Sequence, residues 1–482
     1  MREDLLSDDL FGNEAGEDEA KERLSVYYLE KPENNIFFST KKKLQFVRSR
    51  KGVGKSALLN YAAYKLESEC PYDIQINIKA SELIALSDPK DLTALELTNC
   101  WQQRICTRIN VELGKKIDIA YDDDSLTLVE TSELTGFKGR NLLSALADRL
   151  SLKIKSNEIK INKLSSANNI ELLKRYSASE EIKVWLFIDD IDATFTNTEE
   201  NKIIVSTFFT ACRYLVNDVK NLNIRASVRT DVWTILEDYD EALDKCEQYM
   251  LDLKWSTSDT GKILAKKILT YFKEEHPLDV PRLYSIDKDE IKIFNLVFSG
   301  AIKWGDKCVP PHRAIHILSA GRPRWAAQLC KIAARDAYSK YKDAIASGNI
   351  NFAMDEYGKY RIADLYKEHS HQCTNLKYLI EIFRNGKKYY RTFDLLNFIE
   401  NSLNKAKITI YLDGNAIGAD KNQLAHFLYR IGFITLRNDE YNKALGFTRF
   451  EDNPNLLLPV NLNNNDLWEI HPSYRNVLNL KE

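Results

Sequence analysis

Phe46-Val47-Arg48-Ser49-Arg50-Lys51-Gly52-Val53-Gly54-Lys55-Ser56 is the stretch whose reading decides the fold. A short strand runs into a glycine-containing loop, then into Lys-Ser, then into a helical pattern. Gly52 and Gly54 permit backbone conformations that a Cβ forbids, so successive N–H groups can converge on one anion. Lys55 is placed to reach the terminal phosphates and the Ser56 hydroxyl to ligate Mg²⁺. The helix that follows aims its positive end at the same point. The stretch reads as a phosphate-binding loop, with Ser49, Gly52, Val53, Gly54, Lys55, Ser56 and Ala57 as the cofactor-binding set. Ser49 departs from the G-x-x-x-x-G-K-[ST] pattern by holding the first glycine slot, which leaves the hydrolysis rate more open than nucleotide binding. A basic loop that matches by chance is the alternative, and the strand–loop–helix context disfavours it.

The second anchor is Val184-Trp185-Leu186-Phe187-Ile188-Asp189-Asp190-Ile191-Asp192. An apolar run of this kind, bounded by charges, is a strand buried on both faces of a parallel sheet. It ends in carboxylates, at the end where open α/β sheets place ligands. Asp189 is expected to hold Mg²⁺, directly or through water, and Asp190 to orient or deprotonate the attacking water. Asp192 is expected at the surface or as a cap.

Working outward, residues 44–48 are the strand before the loop, and Ala57 to Leu66 start the helix after it. Ile74, Ile76 and Ile78 alternate as a half-buried strand does. Trp101, Ile105, Ile109 and Leu113 mark a helix over roughly 92–113. Residues 114–140 read as a polar excursion, and helices resume near Leu142–Leu150 and Ile170–Tyr176. Helix Ile203–Val216, strand Leu222–Trp233, strand Tyr249–Trp255 and helix Asp259–Phe272 complete an α/β core. Arg229 lies near the end of its strand, facing an anion or paired with Asp231. Residues 275–345 look helical with proline breaks. Within them Arg322 and Arg324 start a helix, where cations oppose the helix dipole. A nucleotide phosphate opposite them explains that placement; a plain surface role is the alternative. From about 374, three helices, the last ended by Gly432, are followed by strands at Phe433–Arg437 and Phe447–Phe450, a winged-helix order. A polar loop, Asn463–Asp466, and a last helix after Ile470 complete it. The expected division is an N-terminal lead-in over 1–40, a P-loop core with a parallel sheet over 41–273, a helical lid over 274–373 and a winged-helix-like domain over 374–482. The lead-in reads either as a frayed tail with one surface helix or as a segment packed near the adenine of a nucleotide. His369, His371 and Cys373 lack a fourth ligand nearby and read as a chance cluster.

The totals exclude several classes. A net charge of −2 does not indicate a globally basic nucleic-acid binder. The eight cysteines include no C-x-x-C pair and read as reduced thiols, and the acidic N-terminus is no signal peptide. No apolar run approaches the ~20 residues of a membrane span. A cytoplasmic protein without a membrane tether is the expectation.

Gly12-Asn13…Glu17, Ser-Arg-Lys-Gly-Val-Gly-Lys-Ser, Phe-Ile-Asp-Asp-Ile-Asp, Arg229-x-Asp231-x-Trp233, Trp255, Arg-Pro-Arg and Leu428-Tyr429-x-Ile431-Gly432-Phe433…Ile470-His471-Pro472 occur in that order. The set resembles bacterial P-loop ATPases of the STAND and KAP-like kind, within the AAA+-related group. The resemblance implies an ATPase core, a helical lid and a winged-helix end, with ATP and Mg²⁺ as cofactors. It implies catalytic roles for Asp190, Lys55, Arg229 and Arg324, phosphate contact by Arg322, and metal ligation by Ser56 and Asp189. Such proteins act as nucleotide-controlled switches, often as homo-oligomers or with a partner effector, and many serve bacterial anti-phage defence. Two other readings stay open: a winged-helix nucleic-acid-binding regulator that uses ATP as a structural ligand, and a non-hydrolysing scaffold that restrains an effector. Arg430, Arg437 and Arg449 offer phosphate contacts, but Asp439, Glu440, Glu451 and Asp452 in the same segment repel DNA.

Overall fold

The computed structural model describes residues 2–13, 19–84, 92–116, 128, 167–179, 183–278, 284–305, 307–438 and 446–481. The expected helix at Leu142–Leu150, most of the polar excursion at 114–140, Glu17, Asp439 and Glu440 lie outside them. The chain forms two compact units. One comprises Glu30–Arg50 with Lys55–Leu253; the other comprises Met1–Leu29, Lys51–Gly54 and Lys254–Glu482.

The first unit is α/β. Its five strands are β1 (Leu44–Ser49), β2 (Ile74–Lys79), β3 (Val184–Asp189), β4 (Leu222–Arg229) and β5 (Met250–Asp252). All pairings are parallel, in the order β2-β3-β4-β1-β5. β3 is apolar from Val184 to Ile188 because both of its faces are buried. Helix Lys55–Glu69 packs on β1, β3 and β4, and helix Glu199–Asp218 on β1 and β4. Thr198 caps the latter by accepting from the Asn201 N–H. Phe46, Phe209 and Trp233 meet edge to face with centroids 5.0 Å apart at each step. Arg225 is fully buried in β4, where its guanidinium donates to the carbonyls of Phe37, Ser39, Lys42, Lys43 and Ile224. It thereby satisfies the irregular chain that leads into β1. The strand expected to run to Trp233 stops at Arg229, and Thr230–Glu237 is helical.

In the second unit the opening residues are not a frayed tail. Leu5, Leu10 and Phe11 are buried in a core built from helices Thr257–Glu275, Ile286–Phe294, Pro311–Leu318, Pro323–Ser339 and Ser347–His369. The buried Lys267 Nζ donates to the Phe11 carbonyl at 2.9 Å. A capping box between Ser256 and Asp259 starts helix Thr257–Glu275. The region expected to be helical also holds a hairpin, β6 (Ile302–Trp304) with β7 (Lys307–Val309).

The C-terminal part follows the winged-helix order on its own elements. β8 (Cys373–Thr374), helix Leu376–Glu381, β9 (Tyr389–Arg391) and helix Thr392–Ala406 come first. A hairpin, β10 (Ile410–Leu412) with β11 (Asn415–Gly418), precedes the third helix, Lys421–Arg430. β12 (Ile434–Arg437), β13 (Phe447–Thr448) and β14 (Leu467–Ile470) then form a sheet ordered β13-β12-β14-β9. After β14 the expected last helix is only a single 3₁₀ turn, Pro472–Tyr474. Among the described residues no helix is long and apolar enough to cross a membrane, and no cluster of three metal-ligating side chains occurs.

Candidate functional site

β1 ends at Ser49, β3 at Asp189 and β4 at Arg229, all at the carboxyl edge of one parallel sheet. β4 lies between the other two. At the usual strand spacing, the ends of β1 and β3 are about 10 Å apart, a gap that a phosphate chain and its metal can bridge. This is the edge where open α/β sheets bind ligands.

The loop from β1 turns through Gly52 (φ +80°) and Gly54 (φ +112°), conformations that glycine alone adopts without strain. Ser49 is the last residue of β1 and has no positive φ, so a side chain in the first glycine slot costs no left-handed strain. Its hydroxyl turns to the Arg50 carbonyl at 3.2 Å. Lys55 opens helix Lys55–Glu69 and is buried; its Nζ donates to the Ser49 carbonyl at 3.2 Å. Two further ammonium donors remain for an anion. Ser56 and Ala57 follow in the first turn, half-buried. Within the second unit, Trp255 Nε1 donates to the Val53 carbonyl at 2.8 Å, and the Arg324 N–H to the Gly52 carbonyl at 3.4 Å.

The acids sort by their neighbours. One Asp189 oxygen accepts from the Asp190 N–H at 3.0 Å and from the Ser227 hydroxyl of β4. Its second oxygen makes no hydrogen bond among the described residues, which suits a hard oxygen-seeking cation or its water. Asp190 adopts φ +60°, an uncommon backbone state for a residue with a side chain. Such strain clusters at functional sites. Asp192 is not at the surface: it is 2% exposed, and its carboxylate accepts from the Arg229 N–H at 2.7 Å. Burial pushes the Asp192 carboxyl up, and the charges of Lys55 and Arg229 oppose that shift. The Arg229 guanidinium forms a two-pronged pair with Asp231.

The two arginines of the Arg-Pro-Arg turn part company. Arg322 is buried, 3.1 Å from Glu368 and stacked 4.0 Å over the Trp325 ring. Arg324 is exposed, and its guanidinium makes no hydrogen bond or ion pair among the described residues. The structure thus brings Ser49, Lys55, Ser56, Asp189, Asp190 and Arg229 to one sheet edge. It gives Arg322 a carboxylate inside the second unit and leaves Arg324 available. Sequence reading missed Ser227 and the burial of Asp192; the signal for both is the β3–β4 register, which sequence periodicity does not contain.

No protein-family profile matches the sequence, and no curated protein matches it. Among solved structures, the Aeropyrum pernix ORC2 protein in its ADPNP-ADP complexes is similar at a TM-score of 0.40 and 10% identity, over 95% of this chain and 91% of that one. Cdc6p from Pyrobaculum aerophilum is similar at 0.35 and 12%, over 95% and 96%. Drosophila ORC bound to DNA gives 0.35 and 11%, over 95% and 89%.

Proposed function

We propose that the chain binds ATP with Mg²⁺ and hydrolyses it slowly, as a nucleotide-controlled switch. One observation carries the reading: the Lys55–Ser56 helix start and the Asp189–Asp190 strand end occupy one edge of one parallel sheet, with β4 between them. Lys55 and the loop N–H groups grip the phosphates. Ser56 and Asp189 are the residues that hold Mg²⁺, which would supply charge neutralisation on the phosphate oxygens. Asp190 orients the attacking water and takes its proton. Arg324 has the free forked donors of a phosphate ligand, whereas Arg322 holds the turn that carries it. Arg229, fixed by Asp231, sits beside the acids and contributes positive field.

The resemblance to STAND and KAP-like ATPases extends this reading to anti-phage defence, with a partner effector, homo-oligomeric assembly and a cytoplasmic setting. The eight free thiols fit a reducing compartment. Phosphate release and nucleotide binding, measured separately on two variants, test the chemistry. Lys55→Ala is expected to lose binding, and Asp190→Ala to keep binding and lose turnover. Unaltered turnover in both removes the proposal.

A further inference from the structure

The segment between β13 and β14 does not hang free. Phe450 packs edge-on against His426 and Tyr429 of helix Lys421–Arg430, with centroids 5.6 and 5.5 Å away. Tyr429 Oη donates to the Asn453 carbonyl at 3.0 Å, and His426 Nε2 to the Pro454 carbonyl at 3.1 Å. Arg449 has its backbone pinned: its N–H donates to Asp452 Oδ2 at 3.1 Å, and the Asp452 N–H to its carbonyl at 3.0 Å. From this base the Arg449 Nη1 reaches the Ala320 carbonyl at 3.1 Å.

That carbonyl belongs to a strained turn. Ala320 (φ +52°) and Gly321 (φ +68°) are consecutive left-handed residues, and the alanine has no conformational reason to be there. A Cβ at Gly321 would stand 3.1 Å from both Arg449 Nη1 and His316 Cε1, so the packing is tight on that side. Beyond the turn, Arg322 is anchored on Glu368 and Trp325. Two residues later, Arg324 lies against the phosphate loop, its N–H toward the Gly52 carbonyl. Four residues along the chain separate the wing's contact at Ala320 from the loop's at Arg324.

We propose that Arg449 is a positioning residue for the phosphate loop. By holding Ala320 left-handed it sets where the Arg322–Arg324 turn meets Gly52 of the loop. The inference rests on the ATPase reading above. Its test uses the full chain and compares wild type, Arg449→Ala, Arg449→Lys, the double variant Arg449→Ala/Ala320→Gly, and Lys55→Ala. The readouts are ATP turnover, affinity for a fluorescent ADP analogue and thermal midpoint. Displacing the phosphate loop at Gly52 by a fraction of an ångström should cut kcat about tenfold in Arg449→Ala while KM and ADP affinity stay within roughly threefold. Arg449→Lys keeps one donor for the Ala320 carbonyl and recovers part of the rate. The double variant recovers it too, because glycine takes the left-handed backbone without being held. Wild-type kcat in Arg449→Ala overturns the inference. So does a loss that follows the thermal midpoint and that Ala320→Gly does not restore. Unchanged ADP affinity in Lys55→Ala is a separate result, which overturns the nucleotide reading and the inference with it.

Discussion

Two regions carry the polar residues that a functional reading could use, and they are treated in opposite ways. At the carboxyl edge of the five-stranded sheet, Lys55 has spare donors, Asp189 has a spare oxygen and Ser56 is half-buried. The third helix of the winged-helix part, Lys421–Arg430, is covered by its own wing through Phe450, Asn453 and Pro454, and Arg430 lies 3.7 Å from Asp413. One region keeps its chemistry available; in the other, part of the helix's polar face is engaged by the chain itself. The covered helix counts against a reader of base edges and leaves the proposed nucleotide site as the reading to test.

The largest expected effect is at the acids. Asp190→Asn keeps the shape but removes the base, and turnover should fall on the order of 100-fold or more with nucleotide affinity intact. A rate near wild type would mean that the open edge is not catalytic. The next contrast lies within three residues. Arg322→Ala breaks the buried ion pair with Glu368 and should cost about 3–5 kcal/mol, seen as a lowered thermal midpoint. Arg324→Ala should leave the midpoint unchanged and slow turnover roughly 10- to 100-fold, the worth of a charge-assisted phosphate contact. Exchanged outcomes for the two variants would reverse their assigned roles. The smallest effect belongs to the covered helix. Duplex DNA titrated over a salt series should show no steep dependence of affinity on salt; a logarithmic slope beyond about −4 would mean several phosphate contacts and break the contrast.

What could be read from the residues follows from how local the cause is. β1, β3 and the helix after the loop were legible because apolar runs and the Gly-Val-Gly-Lys-Ser spacing act within a few residues. The strand reading extends to Trp233 because Val232 keeps the every-second-residue apolar alternation of Leu222, Ile224, Ala226 and Val228, although a helix begins at Thr230. β6, β7 and β14 escaped because three- and four-residue strands show no periodicity to count. Ser227, and the burial of Asp192 beside Arg229, depend on which strand lies next to which. For the same reason the sequence could not separate Arg322 from Arg324. Their spacing is symmetrical about Pro323, and only the position of Glu368 and Trp325 makes one structural and leaves the other exposed.

Equilibrium titration of the full chain with a fluorescent ATP analogue and Mg²⁺, wild type against Lys55→Ala, tests the central claim most directly. The account predicts saturable binding by wild type, with affinity reduced on the order of 100-fold by the substitution. Equal affinity in the two proteins, or no binding by wild type, would contradict it.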